Sequence, residues 1–188
     1  MFLRLEFPYC NQAGAGLVEV LVALVLVSMG AIALGSTQIS ANYIGLESMQ
    51  RRLAVMLASD LLERMRGNRA ALQHYHRSDL GGEIAGDGDL PARNCGALPC
   101  DSSQLARWDL YQWAQSLRGE FTGDAEGGLI KPLACVTVAD REVLIQITWQ
   151  GYRESSVNVA DSTCGAEEPS AEGTIRHYLQ LASWVGEK

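Results

Sequence analysis

Residues Leu17 to Gly35 read LVEVLVALVLVSMGAIALG, nineteen residues with a single charge, Glu19. At about 1.5 Å of rise per residue, a helix over this stretch nearly crosses a hydrocarbon core of roughly 30 Å. No later stretch is comparably apolar, so the sequence holds one candidate membrane segment. An ordinary secretory signal fits it poorly. The apolar run exceeds the usual signal core of about 7–15 residues. Helical patterning also continues past it, with no change to mature-domain character at a clear cleavage site.

Toward the C-terminus there is no proline from Leu17 to Leu72, and the next is Pro91. Leu46, Met49, Leu53, Leu57, Leu61 and Met65 recur at spacings of three and four, the apolar stripe of an amphipathic helix. Arg51, Arg52, Glu63, Arg64 and Arg66 lie mostly off that stripe, and Asp60 marks its edge. The pattern predicts one helix from Ala15 to Leu72, apolar all round in its first half and amphipathic in its second. Gly30, Gly35 and Gly45 are points where it could bend. The first half needs lipid or other apolar helices around it; the second can lie against a folded domain.

Glu19 is the sharpest residue in the chain. A carboxylate inside an apolar run costs several kcal/mol unless it is paired or neutralised. It could sit near enough to the interface to reach water. Alternatively it awaits a cation, such as an N-terminal amine freed by cleavage just upstream, on this subunit or the next. Arg4 precedes the segment and the next basic residue is Arg51, which favours a cytoplasmic N-terminus.

The 188 residues suit one globular domain plus an accessory segment, and 47% hydrophobic residues argue against disorder. A net charge of −7 and a pI near 4.9 argue against a nucleic-acid partner, because phosphate binding needs clustered Lys and Arg. The groups Arg51-Arg52 and Arg64/Arg66/Arg69 read as a solvated helix face.

Beyond the long helix, Gly81 to Asn94 reads as a loop. Asp87 and Asp89 within it are spaced as in a calcium loop, but no glutamate completes an EF-hand, and no metal or other cofactor is expected. Asp101 with Gln104 forms a capping-box pattern opening a short helix through Leu117, on which Trp108, Tyr111 and Trp113 read as packing residues. Leu133 to Ala139 and Glu142 to Trp149 read as strands joined at Asp140-Arg141. Ile145, Ile147 and Trp149 alternate with Gln146 and Thr148, as in a sheet with one covered face. Asp161 to Gly173 is polar and turn-prone, and Arg176 to Val185 reads as a last strand. The expected fold is α+β: a long helix packed by its second half on an antiparallel sheet, with one extra short helix.

Nothing in the sequence reads as catalytic, and an enzyme is not expected. There is no Walker loop, G-x-S-x-G or H-E-x-x-H. His74 and His76 are two apart and do not share a helix face, and His177 stands alone, so all three read as surface or structural.

The run Gly14-Ala15-Gly16-Leu17-Val18-Glu19-Val20-Leu21-Val22-Ala23-Leu24 resembles the type IV prepilin signature. The resemblance implies that prepilin peptidase cuts between Gly14 and Ala15 and methylates Ala15, leaving Glu19 at the fifth mature position. Two features depart from the pattern: Ala15 stands where a large apolar residue is usual, and Arg4 in the leader is opposed by Glu6. The stretch Ala54 to Arg66 (AVMLASDLLERMR) and the region Cys95 to Trp113 are similar to the PilV-type minor pilins. Residues 1–14 are then a leader, 15–36 the transmembrane and assembly half of the helix, and 37–188 a periplasmic head.

The proposed cut also bears on the cysteines. It removes Cys10 and leaves Cys95, Cys100, Cys135 and Cys164, an even number suited to an oxidising periplasm. Of three pairings, Cys95–Cys100 and Cys135–Cys164 are favoured: the first closes a tight loop with Gly96 and Pro99, and the second fastens the sheet to the polar excursion. The spacings fit no common zinc pattern.

By resemblance, the expected function is a minor pilin that helps initiate or cap a type IV pilus and supports twitching motility and adhesion. Its partners would be other minor pilins, the major pilin, prepilin peptidase, the inner-membrane assembly platform and the lipid bilayer. It would sit in the inner membrane by a single pass, with its C-terminal domain periplasmic, until it enters the pilus. A minor pseudopilin of type II secretion shares the helix, the leader and Glu19. A periplasmic binding module or enzyme on an uncleaved anchor is a third reading.

Overall fold

The computed structural model describes residues 16–80, 91–120, 127–152, 164 and 176–186. Helix α1 runs Leu17–Gly67, followed by a 3-10 segment Arg69–Tyr75, strand β1 Arg77–Leu80 and helix α2 Ser102–Arg118. Strands β2 Leu133–Ala139, β3 Glu142–Gln150 and β4 Arg176–Trp184 complete the element order. The chain forms two compact units, Met1–Asn42 and Tyr43–Lys188. The layout is α+β, with a long N-terminal helix, a four-stranded antiparallel sheet and a further short helix.

In the second unit one core joins three elements. α1 contributes Ala54, Leu57, Ala58, Leu61, Leu62 and Met65, all buried. Their spacing of three and four places them on one helix face. Val136, Val143, Ile145, Ile147 and Trp149 from the sheet meet this face, as do Leu110, Trp113 and Leu117 from α2. The expected stripe is covered only in part: Leu57, Leu61 and Met65 are buried and Leu53 packs against the core, but Leu46 and Met49 are exposed.

α1 stops at Gly67 and does not continue to Leu72. The cause is Asn68, whose buried side-chain amide donates to the Ser102 carbonyl at 2.7 Å and to the Tyr75 hydroxyl at 3.2 Å. Those bonds draw the chain out of the α path, and the next turn tightens to 3-10 geometry, a common helix ending.

α2 begins at the expected capping box. The Asp101 carboxylate accepts from the N–H groups of Ser103 and Gln104, and the Gln104 side chain accepts from the Asp101 N–H. The helix ends at Gly119, which is left-handed at φ 77°. A Cβ there would lie 2.5 Å from the Gly128 nitrogen, because the chain returns past the helix end and Leu129 N–H bonds the Leu117 carbonyl.

The sheet order is β1-β2-β3-β4, each pair antiparallel. β1 lies outside the strands expected from sequence; it has four residues and an irregular register against β2. The hairpin between β2 and β3 turns at Asp140, which takes a positive φ of 56°. β3 differs from the expectation of one covered face. Gln146 and Thr148 are buried along with Ile145, Ile147 and Trp149. The reason lies on the second face, where Cys164 is disulfide-bonded to Cys135 and buried with Leu133. Gln146 is satisfied there by donating to the Tyr178 hydroxyl, and Thr148 by accepting from Arg176.

Candidate functional site

The first candidate is α1 up to Asn42. Its large apolar side chains all face outward: Leu17 is 86% exposed, Leu26 65% and Ile32 75%. Each fully buried side chain of this kind is worth about 1.5–3 kcal/mol of transfer from water. A surface so apolar therefore calls for lipid or other helices around it. By length and composition the helix can cross a membrane, and its apolar window is not buried within the chain.

The polar groups of this stretch place few demands on such a medium. Ser28 donates its hydroxyl to the Leu24 carbonyl at 2.6 Å, and Thr37 donates to Leu34 at 2.8 Å. Both hydroxyls thus close onto their own helix. Glu19 is the one charged residue between Leu17 and Asn42. It is exposed in the first turn of α1, where the free N–H groups of a helix favour a carboxylate. Gly14 and Ala15, the expected cleavage and methylation positions, lie outside the described residues, as do the leader, Asp87 and Asp89.

The second unit carries polar clusters that fasten its elements together. Tyr75 donates to Asp109 Oδ2 at 2.6 Å, and Arg64 reaches Asp109 Oδ1 at 3.4 Å and Gln112 at 3.1 Å. Burial, with the hydrogen bond to Asp109 second, pushes the Tyr75 hydroxyl far above its usual pKa. Asn68, Tyr75 and Asp109 were not singled out by the sequence reading. One available signal was Asp109 itself, an acid among Ala106, Leu110 and Trp113 on the buried face of α2.

Glu47 on α1 accepts from the Tyr152 N–H at 3.1 Å and lies 3.1 Å from His177 Nε2. The His177 ring stacks on Trp149. His76 Nδ1 accepts from the Val138 N–H, and His74 is exposed. Trp113 is fully buried, whereas Trp108 and Tyr111 are half-buried with their rings 5.8 Å apart. Cys95 bonds Cys100 and Cys135 bonds Cys164, with Cα separations of 5.5 and 5.6 Å. Among the described residues no group of three or more His, Cys, Asp or Glu is gathered to hold a metal ion.

Residues 33–111 match the family model Tt1218-like, described as type IV pilin Tt1218. The match is less than half of the chain and runs from the apolar part of α1 to Tyr111 on α2. No curated protein and no solved structure gives a significant match. Over residues 33–111, from the exposed apolar part of α1 into α2, the chain is thus similar to type IV pilins.

Proposed function

We propose that this protein is a minor pilin of the PilV type, a non-enzymatic subunit that helps initiate or cap a type IV pilus and so supports twitching motility and adhesion. The observation that carries the reading is the outward-facing apolar half of α1 with Glu19 in its first turn. The segment is held in the inner membrane by a single pass, with the C-terminal unit in the periplasm. On assembly it moves from lipid into a bundle of like helices contributed by other minor pilins and the major pilin. A cation there offsets the cost of burying the carboxylate. In this reading prepilin peptidase removes residues 1–14, and the amine of N-methylated Ala15, on this or a neighbouring subunit, supplies that charge.

The test is Glu19→Gln in a strain lacking the wild-type copy, with surface pili counted and co-purification with the other pilins measured. The expected result is normal membrane retention with a severalfold loss of incorporation. Unchanged pilus number and unchanged co-purification would overturn the reading. A deletion strain that twitches normally but fails to secrete would transfer the protein to type II secretion.

A further inference from the structure

The two edges of the sheet are not alike. β1 is four residues long with a broken register, a form that discourages further pairing. β4 has nine residues in unbroken register with β3, from Gln150↔Arg176 to Glu142↔Trp184, and contains no proline, lysine or bulge. Among the described residues it is paired on one side only.

The phase of its hydrogen bonds is fixed by one contact. Val185 N–H donates to the Arg141 carbonyl at 2.9 Å, which makes that opposed pair a hydrogen-bonded one. In an antiparallel ladder such pairs alternate with non-bonded ones. His177, Leu179, Leu181 and Ser183 therefore aim their main chain at β3. Tyr178, Gln180, Ala182 and Trp184 aim theirs at the open edge.

The outer sheet face supplies the second observation. Cross-strand register arranges it in four rows: Leu133–Thr148–Tyr178, Cys135–Gln146–Gln180, Thr137–Leu144–Ala182 and Ala139–Glu142–Trp184. Leu133, Cys135, Gln146 and Thr148 in the first two rows are buried, with Cys164 against them. The last two rows line an open groove of about 450 Å³. Its one charged lining residue is Glu142, and its wall is Trp184, 58% exposed. The indole lies across Gly186, where a Cβ would come 1.5 Å from the ring, so that glycine permits the ring's position.

We propose that the β4 edge takes an extended segment of another protein as a fifth, antiparallel strand. The incoming residue opposite Ala182 is aliphatic, and the one opposite Trp184 is Lys or Arg. Main-chain bonds to Tyr178, Gln180, Ala182 and Trp184 hold the strand, the mode by which peptides extend exposed sheet edges. The aliphatic side chain enters the groove beside Leu144. The cation stacks on the Trp184 ring and neutralises Glu142. This assignment is independent of how α1 is used.

The test is residue-resolved amide exchange on the full-length, disulfide-intact protein in detergent micelles, with and without the peptide Thr-Lys-Thr-Val-Thr-Val-Thr. In the free protein, the amides of Gln180, Ala182 and Trp184 should exchange fast and those of Leu179, Leu181 and Ser183 slowly. The peptide should slow the fast set by about tenfold. A copy N-methylated at alternate amides should not, nor should a copy with Glu replacing Lys. Ala182→Pro should abolish the peptide effect while protection of Leu179 and Leu181 persists, because the lost N–H points away from β3. The proposal is overturned if the outward amides are already slow in the free monomer, if the peptide leaves them fast, or if protection rises with protein concentration alone, which would make a second copy the occupant.

Discussion

The indole N–H of Trp113 on α2 donates a 2.7 Å hydrogen bond to the main-chain carbonyl of Leu57 on α1. The ring is fully buried between the helices, and the carbonyl belongs to the helix residue whose own side chain enters the same core. A buried indole needs a partner for its N–H, and here the partner is a second helix. The contact therefore sets how far along α1 the shorter helix lies.

Replacing this ring separates packing from the hydrogen bond. Trp113→Ala should cost about 3–5 kcal/mol through lost burial and the cavity left behind. Trp113→Phe leaves the Leu57 carbonyl without this donor while keeping an aromatic ring, and should cost about 1–3 kcal/mol, part of it from the smaller ring. Denaturant unfolding of the detergent-solubilised protein checks both. Two variants of equal stability would show that the lost hydrogen bond to Leu57, and not the ring's volume, accounts for the destabilisation.

Tyr75 predicts an alkaline transition. Burial and the hydrogen bond to Asp109 raise its folded-state pKa, so the folded chain holds this proton more tightly than the unfolded chain. The resulting stability is fully present below about pH 10, the ordinary tyrosine value, and is lost as pH rises beyond it. Tyr75→Phe should lower stability at neutral pH by about 1–3 kcal/mol, because Asp109 and Asn68 lose a partner, and should flatten the loss above pH 10. An unchanged alkaline slope in the variant would assign that loss to another group.

Asp101 predicts an acid effect confined to α2. The N–H of Gln104, then the Ser103 hydroxyl, hold its carboxyl below the usual aspartate range. A depressed carboxylate contributes stability above its unfolded pKa and loses it as pH falls through the lower folded value. Asp101→Asn should keep the cap and remove this pH dependence, while Asp101→Ala should fray the first turn of α2 at every pH. Amide exchange at Ser103 and Gln104 reports both outcomes.

The two disulfides should differ in weight. Cys135–Cys164 spans 29 residues and Cys95–Cys100 spans 5. Chain-entropy reasoning gives about 3–4 kcal/mol for the longer loop and about 2 for the shorter. Cys135→Ala/Cys164→Ala should therefore lower the melting temperature more than Cys95→Ala/Cys100→Ala, and should also open the face over Gln146 and Thr148. Equal losses would mean that the longer segment is restrained by other contacts.

The elements whose signals are local could be read from the sequence alone. Backbone hydrogen bonds inside a helix need only a run of compatible residues, so the unbroken apolar stretch from Leu17 specified α1, and Asp101 with Gln104 specified the start of α2. Alternation and the turn at Asp140-Arg141 located β2 and β3, and β4 ends one residue short of the expected boundary. Glu19 was conspicuous for the same reason: a carboxylate in an apolar run is costly wherever the rest of the chain goes.

Tertiary structure decided what each surface meets. Met49 and Met65 obey one periodicity, yet only Met65 is covered, because the sheet and α2 pack against the later turns of α1. β1 carries no alternation of its own and exists because β2 offers it an edge, while Asn68 ends α1 through partners 7 and 34 residues away. Cys164 buries a sheet face that the polar residues Gln146 and Thr148 had marked as open. Periodicity fixes which way side chains point along an element; only the packed chain fixes which of those faces are withdrawn from water, because burial is a property of neighbours distant in sequence.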